Sequence, residues 1–151
     1  MYIIFLMASV FMVLLDFITK YIVTTTMSLN QTIPLLNNIF HLTYVRNTGA
    51  AFSMLSGQRL FLILLPFLII AAIVVYVIIK KPKNKLLLLS LSMIASGGIG
   101  NLIDRIRFGY VIDFFDFRLI NFPVFNVADI FVTVGAAIFI ILLLFSKEEN
   151  L

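Results

Sequence analysis

Residues 60–79 read LFLILLPFLIIAAIVVYVII, a run without a single charged side chain. At about 1.5 Å of rise per residue, a helix of this length crosses a bilayer core of about 30 Å. The run lacks the periodicity that would give it one wet face, so lipid is the solvent it suits. Pro66 lies inside it, which a bilayer helix tolerates. The next residues, KKPKNK (80–85), put four lysines in a short loop, and so dense a basic loop stays cytoplasmic.

Three further apolar runs lie on either side. Residues 2–23 form the first; with no basic n-region and no small-residue cleavage site, the run reads as a retained first span and not as a signal peptide. Residues 86–103 form the third, and its second half is rich in small residues (Ala95, Ser96, Gly97, Gly98, Gly100) that let helix backbones approach closely. Residues 124–145 form the fourth. The fold class is therefore an all-α integral membrane protein with four transmembrane helices in a single polytopic domain, 1–151. Four spans place both termini on the lysine side, the cytoplasm.

Two stretches do not span. Residues 24–59 contain IFHLTYV (39–45), rich in β-branched and aromatic residues, and read as short strands and turns at one membrane surface. Residues 104–123 are polar and aromatic. These two segments hold five arginines, so the positive bias toward the lysine side is local.

Composition narrows the function. The chain is 62% hydrophobic and 12% charged, against about a quarter charged in soluble domains. It has no cysteine, which excludes disulfides, thiolate nucleophiles and cysteine-ligated zinc. A single histidine, His41, excludes an HExxH metal site, makes a Ser-His-Asp triad a poor fit and reads as an ordinary interfacial residue. The net charge of +4 reflects membrane topology, not nucleic-acid binding.

Ionisable groups in spans cost several kcal/mol on insertion scales and so face protein or water. Here Asp16, Lys20, Asn101, Asp104, Arg105, Asp113, Asn126 and Asp129 all fall near one membrane face, because spans one and three end where span four begins. Asp16 and Lys20, one turn apart, read as a neutralising pair or as participants in chemistry. Asp129 lies five or six residues into span four and carries two compatible readings. It completes a helix start capped by Asn126 after Pro123, or it is a carboxylate held just below the surface. Asp113 lies in GYVIDFFDF among large apolar neighbours that would raise its pKa, and Asp116 competes with it. Arg105 either snorkels to the interface or orients Asp113. Asn47 either caps a turn or binds a substrate backbone. Two carboxylates on different elements divide acid and base work without a metal or any other cofactor.

The blocks DFITK (16–20), RNTGAAF (46–52), GGIGNLIDR (97–105), YVIDFFDF (110–117) and FPVFNVADI (122–130) occur in an order that resembles the type II signal peptidases. These bacterial aspartic endopeptidases process prolipoproteins, and the resemblance covers nearly the whole chain. It implies a catalytic dyad of Asp113 and Asp129, supported by Asp16, Lys20, Asn47, Gly97, Asn101, Arg105 and Asn126. It implies hydrolysis just before a cysteine that carries a diacylglyceryl group, with membrane lipids as surroundings and a monomer sufficient. It also implies a bacterial cytoplasmic-membrane location, an active site near the outer face, and a small extracytoplasmic β-rich cradle in 24–59 that holds the substrate. One departure is Phe17, where the family often has glutamine, which puts a polar role at that position in doubt.

Other classes make different demands. An ion- or proton-coupled transporter needs acids along the depth of the bundle, and 60–79 has none. It would also favour inverted repeats, and none is evident. A non-enzymatic adaptor leaves the costly acids unexplained. A Ser-Lys peptidase would pair Lys20 with Ser53, Ser56 or Ser96 and leave both aspartates structural.

Overall fold

The computed structural model describes residues 2–50 and 54–145. Ala51 and Phe52 of the RNTGAAF block, Ser53 and the SKEENL tail lie outside the described residues. Among the described residues four helices are long and apolar enough to cross a membrane: α1 (Tyr2–Thr26), α2 (Arg59–Lys80), α3 (Lys85–Arg107) and α4 (Val127–Phe145). Three strands, β1 (Thr32–Leu36), β2 (Phe40–Asn47) and β3 (Val111–Phe117), form one antiparallel sheet in that order.

Local chemistry sets the ends of the helices. The TTT run at 24–26 continues α1, because each hydroxyl bonds back to a carbonyl of the preceding turn: Thr24 to Lys20, Thr25 to Tyr21 and Thr26 to Ile22. Lys81, in the left-handed conformation with φ of 50°, closes α2. Asn84 then caps α3 by accepting from the amides of Leu86 and Leu87 at 2.9 and 3.1 Å.

α3 is the central helix and packs against the other three. Its small residues make this possible. A Cβ at Gly97 would collide with the Ala128 carbonyl of α4, and one at Gly100 would collide with the Asp16 carboxylate of α1. The hydroxyls of Ser90, Ser92 and Ser96 are satisfied within α3 by carbonyls three residues back. Ile73, Val77, Leu87, Leu88, Leu91 and Leu142 form the apolar core at the end of the bundle nearest the lysine loop. Outward positions such as Phe11, Leu68 and Leu144 stay exposed, as lipid-facing side chains would be.

The sheet reaches beyond the 24–59 segment. β3 comes from between α3 and α4 and pairs with β2, with Arg46 opposite Ile112 and Asn47 opposite Val111. A bulge between Leu42 and Val45 shifts the register, so that Val45 faces Asp113. Under the sheet, Tyr44, Ile112 and Phe114 pack on Val23 of α1, on Met27 just beyond it and on Val127 of α4, forming a second core at the other end.

Candidate active site

The site forms where the ends of α1 and α3, the start of α4 and two strands meet. α4 begins with Asn126, whose side-chain Oδ1 accepts from the Asp129 amide at 2.9 Å. Asp129 Oδ2 accepts in return from the Asn126 amide at 3.1 Å. This reciprocal cap leaves Asp129 in the first helical turn, where the exposed amide dipoles favour an anion. A further amide of that turn, on Ala128, donates to Asp16 Oδ1 at 2.9 Å across from α1.

Asp113 enters from β3. Its Oδ1 accepts from Asn126 Nδ2 at 2.7 Å, and its Oδ2 accepts from Asn47 Nδ2 at 2.9 Å. Asp129 Oδ1 accepts from Asn101 Nδ2 at 2.8 Å. Asn101 Oδ1 in turn accepts from Lys20 Nζ and Asn126 Nδ2, each at 3.0 Å. Asn126 thus touches both carboxylates, and Asn101 ties them to the buried cation. Asp113 is 2% exposed, and burial together with the nearby Asp129 charge pushes its carboxyl up to about 7.

Lys20 serves two acids. Its Nζ lies 2.8 Å from Asp16 Oδ2 and 2.9 Å from Asp104 Oδ2, and all three residues are buried. Asp104 Oδ2 also accepts from the Ile112 amide at 3.2 Å, which fixes β3 to α3 just before Asp113. Asp104 was absent from the expected supporting set. Its signal was its place among the costly acids at one membrane face, and a lone lysine facing two acids explains it.

Asn47 caps its turn and also holds a carboxylate of the dyad. Its Oδ1 accepts from the Gly49 amide at 2.9 Å while its Nδ2 holds Asp113. Arg105 neither snorkels nor touches Asp113: its Nη2 donates to Gly49 O at 2.9 Å and anchors that same turn. Gly97 serves packing, as described above. Phe17 is exposed and stacks on Tyr21 at a 6.5 Å centroid distance, pointing away from the site.

Asp116 stands apart. It accepts from Thr43 Oγ1 at 2.6 Å and Arg118 Nε at 2.8 Å. Burial pulls its pKa upward, but these two bonds outweigh it and hold the carboxyl below its ordinary value. His41 is buried beside it, opposite Asp116 in the sheet, and is not an interfacial side chain. Among the described residues Lys20 has no serine partner, and Ser53 lies outside them. Ser96 donates to Met93 O and Met12 Sδ, and Ser56 pairs with Thr48. Among the described residues no group of acids and histidines has metal-holding geometry.

Asp113 and Asp129 both line a cavity of about 790 Å³. Its other walls are mostly apolar and include Leu65, Ile69 and Ile70 of α2, Ile94 of α3 and Ile130 of α4, with Phe122 and Phe125 at the sheet side. The cavity therefore joins a polar dyad to a surface suited to hydrocarbon.

A family model described as Signal peptidase (SPase) II matches residues 8–145. A lipoprotein signal peptidase of Streptococcus thermophilus is 46% identical over 136 residues, covering 90% of this chain and 88% of that protein. One from Halothermothrix orenii is 44% identical, covering 91% and 92%. One from Brevibacillus brevis is 40% identical over 146 residues, covering 97% of each. Among solved structures, a bacterial membrane enzyme determined by the in meso method superposes with a TM-score of 0.90 at 34% identity, covering 97% of this chain and 91% of that one.

Proposed function

The chain belongs to the signal peptidase II family, and from that premise we propose that Asp113 and Asp129 are the catalytic dyad with which it removes the signal peptide from prolipoproteins. It is a multi-pass bacterial membrane protein and an aspartic endopeptidase. The bond cut is the one before the diacylglyceryl-modified cysteine. The observation that carries the assignment is the single asparagine, Asn126, hydrogen-bonded to both carboxylates at the wall of an apolar cavity.

The chemistry follows from the surroundings of each acid. Asp113, pushed up to about 7, holds the proton that the pair shares. It donates that proton toward the scissile carbonyl oxygen and polarises it. Asp129, at the amide end of α4, takes a proton from the attacking water. The tetrahedral intermediate then collapses, a proton passes to the leaving amine, and the dyad returns to its one-proton state. Asn47, Asn101 and Asn126 hold the carboxylates in place by neutral donors that do not compete for the proton. Lys20, Asp16 and Asp104 lock the three helix and strand ends to one another.

The lipid and peptide parts of the substrate have separate surfaces. The apolar cavity wall from α2, α3 and α4 suits the signal helix and acyl chains. The sheet, placed beside the dyad, serves as the cradle for the segment around the cysteine. The lysine loop at 80–85 supports a cytoplasmic position for that end and for both termini, which puts the dyad near the outer face. Segments 24–59 and 104–123 then lie on the outer side of a single domain. One copy supplies every member of the site, which supports a monomer.

The test is separate Asp113→Asn and Asp129→Asn variants, purified and given a diacylglyceryl-modified prolipoprotein. Each should fold, bind substrate and release no signal peptide. Cleavage by either at near the native rate would remove the dyad assignment.

A further inference from the structure

Seven of the side chains that line the 790 Å³ cavity carry polar groups. Six of them have protein partners. Asn47, Asn101, Asp113 and Asp129 belong to the dyad network. Arg105 donates to Gly49 O, and Arg46 Nε donates to Tyr44 Oη. The seventh is Thr133 of α4, and among the described residues its hydroxyl has no partner.

The threonines of α1 behave otherwise. Thr19, Thr24, Thr25 and Thr26 each bond back to a carbonyl four residues earlier. Thr133 makes no such bond to the Asp129 carbonyl, and its side chain is exposed on the cavity wall.

Its position limits what the hydroxyl can meet. At 3.6 residues per turn, Thr133 lies about 40° around α4 from Asp129 and about 6 Å further along the axis. That places it on the arc between Asp129 and Ile130, and all three line the cavity. Gly135, on the other side of α4, is packed against Ser90 and Met93 of α3. Further into the bundle than the dyad, the wall is otherwise apolar: Ile69 and Ile70 from α2, Ile94 from α3, and Val132 and Val134 from α4. A hydroxyl left bare among hydrocarbon costs free energy, and a bound acceptor would offset that cost.

The chemistry of the substrate narrows the acceptor. Acyl chains have none, and a signal helix spends its carbonyls on its own amides. The glyceryl unit hangs from the cysteine sulfur, beside the bond that is cut, and carries its acyl chains through esters. An ester carbonyl is therefore an acceptor on the hydrocarbon side of the substrate, only a few bonds from the scissile amide.

We propose that Thr133 is a specificity-determining residue whose hydroxyl donates to an ester carbonyl of the diacylglyceryl group, one helical turn from Asp129. The assignment deepens the peptidase reading and rests on it. The bond is made in the bound substrate and in the transition state alike, so it lowers KM and leaves kcat unchanged.

The experiment uses the full chain in detergent and two lipopeptides of one sequence. One carries acyl esters on the glyceryl unit, and the other carries alkyl ethers of the same chain length. Wild type should cut the ester form with about tenfold higher kcat/KM, the loss of one buried hydrogen bond, and the difference should lie in KM. Thr133→Val keeps the shape of the side chain. It should lose about tenfold on the ester form and nothing on the ether form. Thr133→Ser keeps the hydroxyl and should keep the preference. Equal cleavage of both forms by wild type would overturn the proposal without any variant. An equal loss on both forms in Thr133→Val would overturn it in favour of a contact with the peptide or the helix, and no loss on either would overturn it outright. Binding of the two lipopeptides to the Asp113→Asn protein reads the same preference without turnover. If wild type cut neither lipopeptide, the peptidase reading would fail, and the binding comparison would still decide the role of Thr133.

Discussion

Asn126 Nδ2 lies 2.7 Å from Asp113 Oδ1, which joins the first residue of the α4 cap to a carboxylate on β3. The same asparagine exchanges two hydrogen bonds with Asp129. One residue, through its side chain and its backbone amide, thus sets the start of a helix and the spacing of two acids. Function and folding are coupled at this residue, and its loss should register in both.

Asn126→Ala removes the side-chain bond to Asp113 and the α4 cap together, while the backbone amide at 126 still donates to Asp129. A hydrogen bond to a charged group contributes about 1.5–3 kcal/mol, which corresponds to a fall in kcat of about 10- to 100-fold for the misplaced dyad. Loss of the cap should cost about 1 kcal/mol of stability. Steady-state cleavage and thermal unfolding in detergent measure the two effects. Native kcat with lowered stability would show that Asn126 is only a cap.

Lys20→Met strands Asp16 and Asp104 against each other with no cation between them. Removing one partner of a buried pair costs about 3–5 kcal/mol, so the variant should unfold at markedly lower temperature. Lys20→Met combined with Asp104→Asn leaves one acid fewer and should recover part of the loss. If Lys20→Met were as stable as wild type, the triad would not be what joins α1 to α3 and β3.

The apolar runs were legible because lipid selects for them over whole spans. The 60–79 run becomes α2 nearly residue for residue. β3 was not legible. VIDFFDF is buried at almost every position, so it lacks the alternation that marks a strand, and its partner β2 lies more than sixty residues earlier. The α1 extension through Thr26 depends on hydroxyls folding back onto the helix, a choice that the threonine run alone does not decide. The gathering of acids at one face followed from alternating helix directions. Which asparagine meets which acid, and that Lys20 serves Asp104 as well as Asp16, depends on side-chain geometry that spacing does not carry.

The pH dependence follows from Asp113. Its carboxyl is raised from 3.8 to about 7, with burial as the main cause, so the proton on the dyad is lost as pH rises through about 7. Cleavage should therefore decline on the alkaline side with an apparent pKa near 7, read from kcat/KM against pH. Stability moves in the same direction. An acid whose folded pKa lies above its unfolded value favours the fold at low pH, and that advantage is lost between about 4 and 7. Asp113→Asn should thus be more stable relative to wild type at pH 8 than at pH 5. A rate that climbs steadily through pH 7 to 9 would place the shared proton elsewhere.

Asp116 provides the sharpest contrast with Asp113, three residues away on the same strand. Its carboxylate is held by Thr43 and by the half-exposed Arg118, and it does not line the dyad cavity. Partly exposed ion pairs contribute about 0–1 kcal/mol, so Asp116→Asn should lose little stability. It should also cut the modified prolipoprotein within about threefold of the wild-type rate, because the loss of so weak a pair shifts a barrier by well under 1 kcal/mol. Asp113→Asn, tested in parallel, should show no cleavage. The comparison controls for the strand itself, since both substitutions keep the shape and the neighbours of β3. If Asp116→Asn were the inactive variant and Asp113→Asn cut normally, the acid on β3 that does the chemistry would be Asp116. The cavity beside Asp113 would then need another role.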